Sequence, residues 1–475
     1  LTSTQLNAIS TDALQAIDST KLTWNHIRGL TTTAISELTE YQVSVLSAPQ
    51  IGLLSTAQIG SLTSTEIQAF TATQVHALTV AQLSGLTATA LSLFSADQID
   101  ALSTTQVRSL TTTQLNALST DALDALDVTK ATTTQIAGLT STAISELSEA
   151  QVAALSTAQI ANLAADQIGA LTTTEIGNLT ADQAGALTTT QLGGLTTTAL
   201  GMFSSDQINA LSTTQTQSLT VEQLNALSVD LLDAVDVSKA STTQIASLTT
   251  TAISQLADTQ VAALSADQIA NLSTDQIGVL TTAEIQALSA TQADALTAAQ
   301  LGGLTTTALG SFSADQIGAL STTQVQGLTT AQLNELSIDM LDALDVSKAS
   351  TTQISGLTTT AITQLAEGQV GTLTADQIAN LSATQTSVFT TTELNNLSAD
   401  QAGALTSTQI AGLTTTQFSS LSTTGIGSLS IAAIEGISTD DIQALTVEQG
   451  NAFIQAQIDV MTSDQSTALI AVITS

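Results

Sequence analysis

The sequence predicts an all-α fold, a solenoid of very short capped helices with one helix per eight-residue repeat. Three observations predict it. A unit of the form Leu-Ser/Thr-x-x-Gln-Ile/Leu/Val-x-Ala/Gly runs almost unbroken through the 475 residues, as at Leu30, Leu38, Leu46, Leu54 and Leu62 and again at Leu397, Leu405, Leu413 and Leu421. Position two is Ser or Thr and position five, three later, is usually Gln, which is the spacing of a capping box. Positions one and six are both apolar, the two places of a hydrophobic staple. So short a unit has no core of its own and must bury its apolar face against its own copies.

Each part of the octad has a physical reason to be helical. Leu102, Ser103, Gln106 and Val107 show the staple and the cap together. Acids favour positions four and five, as at Asp97, Asp206, Asp315 and Glu66, where the first turn of a helix welcomes negative charge. The single proline, Pro49, falls at position four, where its missing N–H has no intrahelical partner to lose. Ala or Gly at position eight allows close approach and easy termination. Helices of roughly one to two turns are unstable alone, so stacking must hold them, each buried Leu or Ile contributing roughly 1.5–3 kcal/mol before entropy. The rival fold is a β-solenoid, favoured by the abundant Thr, Ile and Val and by stacked Gln ladders. Strand alternation would put positions one and six on opposite faces, whereas a staple brings them together.

A second, 109-residue period lies above the octad, seen at Phe94, Phe203 and Phe312. Thirteen octads are followed by one five-residue insert, at Ile17 to Lys21, Leu126 to Lys130, Val235 to Lys239 and Leu344 to Lys348. The chain therefore reads as one continuous array over residues 1–475, with superrepeats at about 22–130, 131–239, 240–348 and 349–452 and a degenerate end or cap at 453–475. The insert is expected to act like a stutter in a coiled coil, correcting drift between sequence period and structural period. Both ends read as cut from a longer array, with any export signal or anchor outside it.

Composition narrows the function. Forty acidic residues against six basic ones give a net charge of -34, which excludes binding of nucleic acid through its phosphates and keeps like rods apart unless cations intervene. No cysteine is present, so there is no disulfide framework or thiolate metal site. No apolar run approaches the length of a membrane span. Aromatic residues make up only 2%, which argues against a carbohydrate-stacking face.

No active site is legible, and no catalytic, cofactor-binding or metal-ligating residue is expected. His26 and His76 lie far apart without an acidic partner motif and read as surface substitutions. Trp24, His26 and Arg28 share one octad, as a binding patch or, more plainly, as a diverged unit. The inserts repeat an acid and a base three apart, Asp18 with Lys21, Asp127 with Lys130, Asp236 with Lys239 and Asp345 with Lys348. The plain reading is a local ion pair. The livelier one is a lateral contact between neighbouring rods. Calcium is the one ion the acid content raises, but no Asp-x-Asp-x-Asp-Gly loop and no Gly-Gly-x-Gly-x-Asp nonapeptide appears, and diffuse counter-ion bridging is the expectation. Threonine rows sit where caps need them. The sequons at Asn178, Asn271, Asn380 and Asn396 arise wherever position eight is Asn before Leu-Ser/Thr.

Octads such as Ala-Thr-Thr-Thr-Gln-Ile-Ala-Gly around Gln135 and Ala-Ser-Thr-Thr-Gln-Ile-Ser-Gly around Gln353 resemble those of giant Leu/Thr/Gln/Ala-rich surface or secreted proteins of bacteria, regarded as adhesin-like or matrix proteins. The resemblance covers nearly the whole chain. It implies export and a place outside the cell or at its surface, and it supplies no catalytic residue. The function expected is non-catalytic and structural, a repeat rod that assembles with its own copies into a filament or surface layer or serves as an adhesin stalk. The alternative is a solenoid binding module for a peptide or polysaccharide.

Overall fold

A computed structural model describes all residues from Leu1 to Ser475, in two compact units, Leu1–Ala240 and Ser241–Ser475. Every element in both is helical and no strand forms, so the β-solenoid alternative is excluded. No helix is long and apolar enough to cross a membrane.

Most octads fold as the capping pattern requires. In Ala96–Asp100, the preceding Ser95 is extended (φ -74, ψ 166). Its hydroxyl accepts from Gln98 N, while Gln98 Oε1 accepts from Ser95 N at 2.8 Å. The following Leu closes the unit, Leu102 N donating to Ile99 O at 3.1 Å. Termination therefore comes from position one turning extended, as at Leu110 (φ -69, ψ 139), and no residue, glycine included, takes a positive φ. Glycine serves close approach instead. A Cβ on Gly52 would lie 2.9 Å from Ala77 O, and one on Gly403 2.9 Å from Ser428 O, nearer than real contacts allow. Pro49 sits in the first turn of Ala48–Gly52 and costs no bond.

Three units close one turn of the solenoid. Within Leu1–Ala240, Ala48–Gly52 packs on Ala72–Ala77, three octads later, and within Ser241–Ser475, Ala266–Asn271 packs on Ala290–Ala295. The residues at positions one and six face inward and form the core, among them Leu30, Ile35, Leu38, Val43, Leu46 and Ile51.

The glutamine at position five does more than complete a cap. Its amide nitrogen crosses to the preceding turn. Gln58 Nε2 donates to Leu30 O at 2.8 Å and Ile27 O at 3.2 Å, at separations of 28 and 31 residues. Gln82 reaches Leu54 and Ile51, and Gln300 reaches Leu272 and Ile269, in the same way. The acceptors belong to the units three and four before. Each glutamine is thus buried with both ends of its amide used, which is the condition for burying it without penalty.

Ala replaces this glutamine at some positions. At Ala90 and Ala199 the missing side chain leaves small cavities of about 160 Å³, one bordered by Leu62 and Leu86, the other by Ile168 and Leu171. At the C-terminal end the octad gives way to the longest helix, Ser463–Ile473, which packs on Thr439–Gln443 and Val447–Gly450.

Two substitutions test the cross-turn tie. Gln98→Leu leaves the Phe70 carbonyl without its donor and takes one of two from Ile67 O, and denaturant unfolding should show a loss of about 1–3 kcal/mol. Conversely, Ala90→Gln and Ala199→Gln should each add about 1 kcal/mol of stability, seen as a raised unfolding midpoint.

Candidate functional site

The five-residue inserts are where the chain departs from its own rule. Each is a shortened unit. Leu126 holds position one, Asp127 the cap, and Val128–Lys130 form a single 3-10 turn. The unit keeps its place in the stack, because Gln151 reaches Leu126 O at 2.8 Å and Leu123 O at 2.8 Å, at separations of 25 and 28 residues. A turn that contains an insert therefore has three units like any other, but a shorter chain. The insert is a truncated repeat within the turn and not a correction placed between turns.

The shortened unit ends at position five, and the lysine there takes over the bond of the glutamine. Lys130 Nζ donates to Leu102 O at 3.0 Å, across 28 residues, the separation at which a glutamine would bond. Lys239 donates to Leu211 O at 3.0 Å and Lys348 to Leu320 O at 2.8 Å. The carboxylates hold these amines from the other side, with Lys130–Asp127 at 3.7 Å, Lys239–Asp236 at 3.6 Å and Lys348–Asp345 at 3.9 Å. In the first insert, Asp18 caps the turn Ser19–Lys21, and Lys21 has no unit three places before it in the 475 residues.

The aspartates are also caps. Asp127 Oδ1 accepts from Thr129 Oγ1 at 2.6 Å and Thr129 N at 3.1 Å. The threonine hydroxyl holds the Asp127 carboxyl below the usual carboxylate value, against an opposing push from partial burial. Ser238 does the same for Asp236, and Thr20 for Asp18. Where the other inserts bury Val128, Val237 and Val346, the first buries Ser19, whose hydroxyl has no partner.

The remaining candidates do not converge. Trp24 is exposed and borders a shallow hollow with Val45 and Pro49, whereas Arg28 borders a different one with Leu53 and Gln58. His26 occupies a glutamine position, its Nδ1 accepting from Thr23 N at 3.1 Å. His76 Nδ1 hydrogen-bonds Ala101 O at 3.1 Å. Of the sequon asparagines, Asn271 and Asn380 donate to Asp267 O and Asp376 O within their own helices. No group of three or more His, Cys, Asp or Glu side chains is placed to hold a metal.

One set of residues near the inserts carries a role the sequence reading missed. Asn116 Nδ2 donates to Gly138 O at 2.9 Å, and its Oδ1 accepts from Thr140 N at 2.8 Å. Asn7 and Asn334 make the same pair of bonds. The recurrence of Asn7, Asn116, Asn225 and Asn334 at the superrepeat spacing was the available signal.

The ALTTAQ repeat family model matches residues 160–197, 269–306 and 299–330. The first two stretches are offset by one superrepeat. The match shows a repeat protein. No curated protein matches the chain. Among known structures, the chain is similar to a homology model of the full-length AP-3 complex in an intermediate open conformation, at 9% identity over 99% of this chain and 83% of that one, with a TM-score of 0.19. It is also similar to the structure of APUM23-GGAAUUGACGG, at 10% identity over 99% and 90%, with a TM-score of 0.16. Likeness at that level carries no argument about this chain.

Removing the lysines by Lys130→Met, Lys239→Met and Lys348→Met should cost about 1–3 kcal/mol at each insert, since a charge-assisted bond to a half-buried carbonyl is lost; chemical denaturation reads it. The aspartates set a pH dependence. A carboxyl whose folded value is lowered contributes stability that is present above the unfolded value of about 3.9 and lost as pH falls. The double variant Asp127→Asn/Asp236→Asn should therefore melt below the parent at neutral pH, with the gap closing below about pH 4.

Proposed function

We propose that the chain is a non-catalytic structural segment of a protein exported to the outside of the cell or to its surface, in a bacterium. In this reading it is a repeat rod that assembles with like copies into a filament or surface layer, or carries an adhesin as its stalk. The observation that carries the reading is the use made of the repeated polar side chains. The Ser/Thr of position two caps its own helix, and the Gln of position five binds its own cap and the turn before. The Lys of each later insert stands in for that Gln. The recurring chemistry is spent on joining one turn to the next, which is what a spacer or building block needs, and such an array extends by adding turns without altering those already formed.

The proposed place outside the cell rests on the resemblance of the octads to those of giant surface and secreted proteins. The charge of -34 supports solubility of separate copies and makes association dependent on screening or on cations. The partly exposed Asp127, Asp236 and Asp345 remain the proposed points of lateral contact, with their lysines engaged on the chain itself.

Electron microscopy of the purified chain, in negative stain with and without calcium, tests the assembly. Uniform fibres or sheets are the expected result for a building block, whereas separate particles in both conditions would leave only the stalk. Deleting residues 131–239 joins Lys130 to Ala240, in register. Circular dichroism should then show unchanged ellipticity per residue and a similar melting temperature, and cooperative loss of structure would count against an additive array.

A further inference from the structure

Glutamate occupies the place of the buried glutamine at four positions, and the shorter Asp441 does so at a fifth. Glu66, Glu175, Glu284 and Glu393 stand at position five, one in each superrepeat and at its exact spacing. All are buried. Each uses Oε2 as a glutamine uses Oε1, accepting from its own cap nitrogen, at 2.5 Å from Thr63, 2.7 Å from Thr172, 2.5 Å from Thr281 and 2.6 Å from Thr390. The second oxygen stands in for the amide nitrogen. In glutamine that atom is a donor aimed at two carbonyls of the turn before, and an ionised carboxylate has nothing to donate. Glu66 Oε1 is buried without any hydrogen-bond partner.

No cation answers these acids. Ser64–Gln68 packs on Glu40–Ser44, whose titratable groups, Glu40 and Tyr41, are exposed, while Glu37 lies half-exposed at the end of Thr32–Ser36. Ala88–Leu91, on the other side, carries none. For the other three, the helices packed before carry the acids Glu149, Asp258 and Glu367, and those packed after, Thr197–Leu200, Thr306–Leu309 and Thr415–Phe418, carry no titratable group. A metal ion would need several further oxygen ligands and a wider gap than a hydrogen bond spans, in a place lined by Leu and Ile. A proton needs neither.

We propose that Glu66 is an acid-closed rung of the solenoid: with a proton on the carboxyl, it donates an O–H to the Leu38 carbonyl of the turn before, and without it that tie between turns is open. Burial pushes the Glu66 carboxyl above its usual value, against the two bonds from Thr63. A group raised in this way contributes stability that is full below its unfolded value and lost as pH rises through the folded one, opposite in sign to the insert aspartates. The joint between the turns that hold Leu38 and Glu66 would therefore tighten in acid and loosen as the medium is neutralised.

The test compares the parent with Glu66→Gln/Glu175→Gln/Glu284→Gln/Glu393→Gln, and with Glu66→Gln alone. Glutamine is the residue the neighbouring rungs already use, so both variants keep the fold. Melting temperatures are measured from about pH 4 to about pH 8, a comparison in which the many other carboxylates cancel. The expected result is near-coincidence in acid and a gap in favour of the variants that widens with pH and is already present in Glu66→Gln alone. Infrared spectra of the parent should show the carbonyl stretch of a buried protonated carboxyl group, absent from Glu66→Gln. Parallel melting curves would overturn the proposal. So would calcium chloride closing the gap near neutral pH, because a cation and not a proton would then fill the rung.

Discussion

The tie from a glutamine amide to the turn before it is the interaction on which the rest of this structure depends. A short helix such as Thr56–Ile59 or Thr104–Ser109 cannot hold itself in water, because nucleation is not recovered over so few bonds. Capping lowers that cost within the octad. Leucine and isoleucine burial supplies the main driving force, but it has no direction, and the apolar faces of stacked turns could slide past one another. The amide fixes their alignment within the octad. Gln58 must meet Leu30 O and Ile27 O, and a shift of less than one octad would leave its donor and the Leu30 carbonyl unpaired.

That constraint explains which changes the repeat tolerates. An alanine cap still receives the return bond, as Gln167 Oε1 accepts from Ala164 N at 2.6 Å. Losing the glutamine is tolerated at intervals, at the expense of a small cavity beside Ala90 or Ala199. In the later inserts the shortened unit keeps the tie because a lysine reaches the same carbonyl, as Lys130 reaches Leu102. A primary amine on a long stem and a carboxamide on a shorter one meet the same acceptor, because what the turn requires is a donor at one place in space.

The charge of the chain divides along the same line. Most acids sit in exposed first turns, where they favour the helix dipole and add to the net charge without structural duty. The insert aspartates are caps and partners, stabilised as anions by Thr129 or Ser238. Glu66 is the reverse case, a buried acid whose ionised form the surroundings disfavour. Carboxylates of one composition thus carry opposite pH dependences, set by whether hydrogen-bond donors or burial dominate around the carboxyl.

The sequence by itself determined the local structure. The capping box, the staple and the acids of the first turn are contacts between near neighbours in the chain, so Ser103, Gln106 and Leu102 announce their helix in any context. The octad, the superrepeat and the positions of the inserts were legible for the same reason. The tertiary structure alone decided how many units make a turn, and therefore what the second end of each glutamine does. A tie that spans several octads is not visible in an eight-residue pattern until three units close the turn and bring Leu30 O over Gln58. The role of Lys130 in place of a glutamine, the clasp made by Asn116 and the stranded oxygen of Glu66 all follow from that closure. Each depends on which carbonyl stands opposite a side chain, and that is fixed by the geometry of the turn.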